Sequence, residues 1–406
     1  MRNPAEAGDY KLSKSIRAAA LIDEIGRRRG KLSGGRVRSF PNGITHREKT
    51  GVISFFSYEE YELKPILSSC RASELNSPYD RLTFQAAMQK VSPSANSERL
   101  DLLDALIYGD IFDCAITLDE LWQYSRVAID RDRLGRRLRD DPIFSRVVVE
   151  RSGLYCLHDR TALLDLRPGR IARAHRLQRR AIRVAGVLRH LPFVRGLVLT
   201  GSTSADNATD AADVDLLVIV AAGRIGTVFL LLGSLSRLLG RQLFCPNWYF
   251  SEASLGIAPG NLYLGREFAQ ARSLAGHTDS LRDSNPWIKQ LFPNATVLAA
   301  LEPRPKAGTK LQRFPEVPLR GVLGERLECK ARSIAAARLR VHYSGFGEQV
   351  PAEVATRFEA GVALGFHGYH YEQSTLNAYA ARRARLWDML EQAQAEARGE
   401  SRNEDL

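Results

Sequence analysis

The sequence predicts an α/β (α+β) protein in which a small mixed sheet with flanking helices occupies the middle of the chain. Two apolar runs, FVRGLVLTG from Phe193 and VDLLVIV from Val214, are typical of neighbouring strands. Short helical periods and a hairpin signal precede these runs, and long amphipathic helical patterns follow them. This order favours one sheet-bearing domain between a helical module and a helical C-terminal region.

Composition changes divide the 406 residues into five predicted segments. A basic, Gly-rich and poorly organised N-terminal arm is followed by a helical module, and the SPSANSER stretch between them is typical of a linker. A Pro- and Lys-rich connector separates the sheet from the last helices. The predicted ranges are 1–97 for the arm, 98–160 for the module, 161–300 for the sheet-bearing domain with its leading helix, 301–318 for the connector and 319–406 for the helical C-terminal region.

The module at 98–160 has the element order of a winged helix-turn-helix. Apolar residues at helical spacing begin at Leu100, and Thr117 with Glu120 forms a capping box before a second helix. DRDRLGRRLRDDP predicts a third helix, and the turn at Ser152–Gly153 predicts a hairpin. Two roles remain open. The third helix enters a DNA major groove, or the module serves packing or dimerisation with its arginines in solvent.

Overall charge and cysteine usage narrow the functional class. The net charge of +12 and the pI near 9.6 favour a polyanionic partner, including nucleic acid through the basic N-terminal regions. Cys70, Cys114, Cys156, Cys245 and Cys329 are odd in number and lack a CxxC pair, which favours reduced thiols and a cytoplasmic protein. No run of eighteen apolar residues occurs, so Ile225 to Leu239 predicts a core helix and no membrane partner is expected.

The stretch TGSTSADNATDAADVDLLVIV carries the chemistry. Asp213 and Asp215 are separated by one residue on a predicted strand, so both carboxylates point to the same face. Like charges so close together repel each other, and a divalent cation is the natural counter-charge. Gly201 allows a tight turn, and Ser202 adds a hydroxyl and an amide that suit phosphate oxygens.

This constellation resembles the nucleotidyltransferase superfamily of the DNA polymerase β type, whose signature is Gly-Gly or Gly-Ser, about ten residues, then Asp-x-Asp. The resemblance covers roughly residues 190–255, and a wider likeness to bacterial proteins of unassigned function, with a winged helix before such a domain, covers about 98–295. It implies Mg²⁺ (or Mn²⁺) held by Asp213 and Asp215, which are also the catalytic residues. It also implies an NTP bound at Gly201, Ser202, Thr203, Ser204 and Asn247.

The chain departs from that pattern at the third carboxylate, which the superfamily usually supplies from the next strand. The corresponding position in RQLFCPNWYFSE is Asn247, and an amide cannot act as a base. Glu252 at the end of that strand and Glu267 on the following helix are the two candidate replacements. We place Glu267 ahead, because Tyr263 and Arg266 give its helix a polar character.

The sequence therefore predicts a Mg²⁺-dependent nucleotidyltransferase that moves a nucleoside monophosphate from an NTP to an unidentified acceptor. Two alternatives stay open. One is a catalytically inactive, nucleotide-sensing DNA-binding regulator, and the other is a toxin- or antitoxin-type nucleotidyltransferase that acts on protein or tRNA. The sequence contains no P-loop, GxGxxG, GxSxG or HExxH motif, so ATPase, dehydrogenase, hydrolase and zincin functions lack support. Oligomeric state is not encoded in these patterns.

Overall fold

A computed structural model describes residues 95–257, 260–301, 310–345, 349–365 and 369–404. The predicted N-terminal arm lies outside these residues, apart from its last three positions. Among the residues that are described, no helix is long and apolar enough to span a bilayer.

The first part of the described chain is a helical module that ends in a hairpin. Its three short strands form a separate sheet in the order β1-β3-β2, with β3 antiparallel to both neighbours. The elements are α1 (Ala95–Leu102), α2 (Asp104–Ile111), β1 (Ile116–Thr117), α3 (Leu118–Gln123), α4 (Arg131–Asp140), α5 (Pro142–Val147), β2 (Val148–Arg151) and β3 (Leu154–Leu157).

The middle part alternates strands and helices. The long leading helix α6 begins at Ala162 and ends at Leu188, four residues before Pro192. The elements that follow are β4 (Val194–Thr200), α7 (Gly201–Ser204), β5 (Asp215–Val220), α8 (Ile225–Leu239), β6 (Cys245–Ser251), α9 (Leu262–Gln270), β7 (Arg272–Gly276), α10 (Asp279–Asp283), α11 (Trp287–Leu291) and β8 (Ala299–Ala300).

The last part is mainly helical, as predicted, but it also supplies one strand. Its elements are α12 (Lys310–Glu316), α13 (Val322–Ser344), α14 (Ala352–Glu359), β9 (Ala363–Gly365) and α15 (Tyr369–Glu404). Strand β9 pairs antiparallel with β6 and extends the main sheet. The sequence analysis did not predict this strand.

The main sheet has six strands in the order β8-β7-β4-β5-β6-β9. Strands β4 and β5 are antiparallel, with Thr200 opposite Asp215, and β5 and β6 are parallel, with Asp215 beside Cys245. The end of β4 and the beginnings of β5 and β6 therefore meet at one edge of the sheet.

Both faces of the main sheet are covered, which explains why its central strand β5 is apolar from Leu216 to Val220. Alternate residues of β5 enter two different core clusters. Leu217 and Ile219 pack on the side that includes α9, α11, α15 and the N-terminal module. Leu216 and Val218 pack on the side that includes α6, α8 and α13. The sheet is the common wall of both clusters.

The module contains β1 and α5 in addition to the three predicted helical regions and the hairpin, and Thr117 and Glu120 make a reciprocal capping box. Helix α15 packs against α1, α2 and α5, and the Tyr379 hydroxyl donates to the buried Asp104 carboxylate. Asn294 adds a second link, because its amide nitrogen donates to the carbonyls of Trp122 (3.0 Å) and Val127 (2.8 Å). The segment NPWIKQLFPN thus docks on the module, and the winged-helix assignment itself stays a prediction.

The predicted connector at 301–318 is more than a connector where it is described. Residues 310–316 form α12, and the Glu316 carboxylate, 2% exposed, accepts from the Phe193 amide (2.7 Å) and from Arg195 (2.8 Å). The Gln312 amide donates to the carbonyl of Val194. Proline and lysine content predicted a connector, and two polar side chains inside it also bond to the start of β4.

Candidate functional site

The site begins at the turn from β4 into α7. Gly201 has a φ of +70°, a left-handed backbone conformation that residues other than glycine rarely adopt. A Cβ atom at this position would lie 2.6 Å from Asp215 Oδ2. Gly201 is therefore required both by the turn and by the close approach of a carboxylate.

Asp213 and Asp215 lie next to each other at the start of β5. Val214 between them is fully buried in the core, so the two aspartates point away from it on the same side. Asp213 precedes the strand and Asp215 is its first residue. Ligand atoms of Asp213, Asp215 and Cys245 lie within 4.8 Å of one another. The predicted convergence of the two carboxylates is present.

Asn247 joins this group through a β-bulge. The pairing of β5 with β6 shifts between Leu216–Pro246 and Leu217–Trp248, which leaves Asn247 as the extra residue. Its amide nitrogen donates to the Asp215 carboxylate, and its carbonyl oxygen lies 3.0 Å from the Cys245 thiol, which donates to it. Asn247 therefore holds one of the two carboxylates, and its contact with a nucleotide stays a prediction.

The negative charges of Asp213 and Asp215 are not fully balanced by nearby positive charge within the described part of the chain. Burial, Asp213 and Glu267 together raise the pKa of Asp215 to about 7, against the hydrogen bond from Asn247. Burial also raises the pKa of Asp213, and the positive charge of Arg241 acts against that rise. Burial and the two aspartates raise the pKa of the Cys245 thiol to about 11, so this sulfur is neutral at pH 7.

Glu267 is the third carboxylate of the site. Strand β7 begins at Arg272, opposite Leu199 near the end of β4, so the last turn of α9 lies at the same sheet edge. The Glu267 carboxylate accepts a hydrogen bond from the Gly201 amide, and burial raises its pKa to about 7, although the charge of Arg266 opposes the rise. The structure therefore brings together Gly201, Asp215 and Glu267.

Glu252 is not part of this cluster. Its amide donates to the Val220 carbonyl (2.8 Å), which places it at the far end of β5 and β6, about 17 Å of strand from Asp215. Its carboxylate lies 3.5 Å from Arg195. The parallel pairing of the two strands separates the beginning of β6 from its end, so Glu252 cannot supply the third carboxylate here.

The three hydroxyl residues of α7 divide into two kinds. The buried Thr203 hydroxyl donates to the Asp213 carbonyl (2.7 Å), and the buried Ser204 hydroxyl donates to the Gly201 carbonyl (2.8 Å). Both hydroxyl groups hold the loop instead of facing a ligand. Ser202 is exposed, and it remains the one of the three whose side chain is available at the surface.

Two further residues lie near the site that sequence reasoning did not select. Tyr371 on α15 stacks edge-on against Tyr263 at 6.0 Å between ring centroids, and burial, Glu267 and Asp215 raise its pKa. Arg241 lies four residues before Cys245 and is exposed. Only the position of Arg241 in the loop that leads into β6 could have indicated its proximity. Tyr371 is more than 150 residues away in sequence.

The donor set fits a hard divalent cation. Asp213 and Asp215 offer carboxylate oxygens, which Mg²⁺ and Mn²⁺ prefer. The pKa of Asp215 is raised by burial and by the charge of Asp213, and a bound cation would offset both. Cys245 is less suited, because its thiol is protonated and donates to Asn247. The two aspartates are therefore the residues that would hold the metal.

Comparison of this chain with protein-family models, with curated proteins and with solved structures finds no match.

Proposed function

We propose that the protein is a Mg²⁺- or Mn²⁺-dependent nucleotidyltransferase that moves a nucleoside monophosphate from an NTP to an acceptor. The observation that carries the proposal is the meeting of Asp213, Asp215 and Glu267 at the left-handed turn of Gly201. When bound, the metal neutralises charge on the triphosphate and on the departing pyrophosphate. The resemblance of the Gly-Ser and Asp-x-Asp spacing to the polymerase β type supports the same class.

Each residue has a defined part in this proposal. Asp213 and Asp215 hold the cation, and Asn247 orients Asp215 through its donated hydrogen bond. Gly201 and Ser202 present backbone amides and a hydroxyl to phosphate oxygens. Because the pKa of Glu267 is about 7, a large fraction of its side chains are deprotonated near neutral pH, and the carboxylate can take the proton of the acceptor hydroxyl.

The transfer is balanced in atoms and charge. The acceptor oxygen forms a bond to the α-phosphorus, the bond from that phosphorus to the bridging oxygen breaks, and pyrophosphate leaves. The hydroxyl proton passes to the Glu267 carboxylate. This assignment replaces the missing carboxylate at Asn247 with one from α9.

The test has two readouts. Thermal melting with each NTP, with and without Mg²⁺ or Mn²⁺, should show a metal-dependent rise in melting temperature for at least one nucleotide, because ligands that bind only the folded state stabilise it. Pyrophosphate release then separates enzyme from sensor. Nucleotide binding without release, across protein, tRNA and oligonucleotide acceptors, would indicate the nucleotide-sensing regulator instead. No metal-dependent rise with any nucleotide would overturn the proposal.

A further inference from the structure

The flank of α6 carries a row of arginines that reaches the loops on both sides of the carboxylate pair. Arg173 donates to the Ala208 carbonyl (3.0 Å) and pairs with Asp210, three residues before Asp213. Arg180 donates to the Gln242 carbonyl (3.2 Å), three residues before Cys245. The row therefore borders the site, since its members contact the two loops that lead into it.

Most of this row is not neutralised. Arg176, Arg180 and Arg183 are four and three residues apart, so they share one side of the helix. Arg176 and Arg183 are exposed, and none of the three is paired with a carboxylate among the residues that the structure describes. Uncompensated arginines in a row are costly to the folded state through mutual repulsion, which indicates a use for the charge.

The positive surface continues past Arg241 to helices α8 and α13. Gly233 on α8 faces Arg338 of α13, whose guanidinium lies over the Phe229 ring at 5.6 Å. Burial and the nearby charges of Arg237 and Arg241 lower the pKa of Arg338. Three arginines thus crowd together beside the loop that leads into β6, again with no carboxylate partner in the described chain.

We propose, on the basis of the proposed function, that the acceptor is a nucleic-acid strand that lies along Arg176, Arg180 and Arg183 with its end at the carboxylate pair. Successive members of the row are about 4.5–6 Å apart along the helix axis, a spacing within reach of consecutive phosphates of a single strand. Arg241 contacts the strand or the triphosphate where the two meet. The terminal hydroxyl of the strand is then the oxygen that bonds to the α-phosphorus, and its proton passes to Glu267 as pyrophosphate leaves.

The experiment measures binding of a fluorescent single-stranded oligonucleotide of about 20 nucleotides, as RNA and as DNA, to the full chain in EDTA. The test variant combines Arg176→Gln, Arg180→Gln and Arg183→Gln. The matched control combines Lys289→Gln, Arg326→Gln and Arg398→Gln, which removes the same charge from exposed positions of α11, α13 and α15, away from both the arginine row and α4. Affinity of the test variant should fall at least about 10-fold at low salt, and its slope against log salt should fall by about 2.

The outcomes separate this inference from the proposed function. The test variant should keep its metal- and NTP-dependent rise in melting temperature, because the arginine row lies outside the metal ligands. A wild-type protein that responds to metal and NTP but binds no oligonucleotide overturns the inference and leaves the proposed function standing. An equal loss of affinity in the control variant, or an unchanged affinity and salt slope in the test variant, also overturns it.

Discussion

Asp215 lies so close to Gly201 that no residue with a side chain fits at position 201. A Cβ atom on residue 201 would lie 2.6 Å from Asp215 Oδ2. The φ of +70° at Gly201 independently excludes most other residues. Antiparallel pairing of Thr200 with Asp215 creates this contact, because the residue after Thr200 turns back over the first residue of β5. The turn and the carboxylate are therefore one structural unit.

Gly201→Ala should abolish the metal- and NTP-dependent rise in melting temperature. The left-handed backbone alone costs about 1–2 kcal/mol, and the new methyl group would also displace the Asp215 carboxylate. Gly223→Ala is the matched control, because Gly223 has a φ of +69° and nothing within 4 Å of a Cβ atom. Equal loss of stability in both variants, with the nucleotide response kept in both, would contradict the argument.

The sequence predicted those parts of the site whose geometry depends on neighbouring residues, and it did not predict the parts that depend on long-range strand pairing. The spacing in Asp213-Val214-Asp215 fixes which way each side chain points, and the buried Val214 confirms that alternation. The placement of Glu267 depends on where β7 enters the sheet, a long-range pairing that no local pattern contains. Glu252 failed for the same reason, since only the parallel direction of β6 shows that its end is remote from Asp215.

The fold shows the same division. Helix α8 lies at Ile225–Leu239, where its apolar pattern predicted it. Strand β9 has three residues and is defined by its partner β6 rather than by its own composition, so short-range patterns did not reveal it. The capping box of α3 was predictable because both of its residues lie within one helical turn.

Asn294→Ala should destabilise the protein by about 1–3 kcal/mol, because it leaves the carbonyls of Trp122 and Val127 and the Ile129 amide without their side-chain partner. Denaturant unfolding measures the change. Lys289→Ala on the same segment is the control, since its ammonium is exposed and donates to the Pro293 carbonyl of the segment itself (3.3 Å). Equal stability of the two variants would show that Asn294 does not fasten the segment to the module.

Asn247→Asp should lower stability without metal and enlarge the stabilisation that Mg²⁺ or Mn²⁺ gives. The change removes the hydrogen bond donated to Asp215 and adds a further negative charge beside it, so repulsion rises until a cation is present. Asn247→Ser removes the amide without adding charge and serves as the control. The measurement is the melting temperature at pH 8 with and without millimolar metal. A metal response no larger than that of wild type would count against the cation site.

Asp215→Asn should be more stable than wild type in the absence of metal, by an amount that grows with pH. The pKa of Asp215 is about 7 in the folded chain against about 3.9 in the unfolded chain, so the folded state loses stability as pH rises between these values. The amide does not titrate, and its carbonyl oxygen can still accept from Asn247. The gain should approach about 1–2 kcal/mol at pH 8, reduced by solvent around the half-buried pair.

Chemical unfolding at pH 5 and pH 8 checks this prediction. Asp213→Asn should change in the same direction, because the pKa of Asp213 is also raised. A lower stability of either variant at pH 8 would show that the aspartates serve the fold through hydrogen bonds, since loss of a needed partner costs about 1–3 kcal/mol. Both variants should also lose the metal- and NTP-dependent rise.

Glu267→Gln should separate binding from transfer. The glutamine keeps an oxygen that can accept from the Gly201 amide, so the turn and the metal- and NTP-dependent rise in melting temperature should persist. Pyrophosphate release should fall by about 10²–10⁴-fold, the usual contribution of a positioned general base. Glu252→Gln is the matched control at the far end of the sheet, and its rate should equal that of wild type.

The pH profile distinguishes a base from a structural residue. Because the pKa of Glu267 is about 7, its basic form increases between pH 6 and pH 8, and the wild-type rate should rise over that range. Asp215 titrates in the same range, but its effect appears in the metal dependence and should vanish at saturating metal, whereas the Glu267 effect should remain. The residual rate of Glu267→Gln should be flat with pH at saturating metal. A residual rate that still rises through pH 7 would assign the base to another group and remove Glu267 from the proposed mechanism.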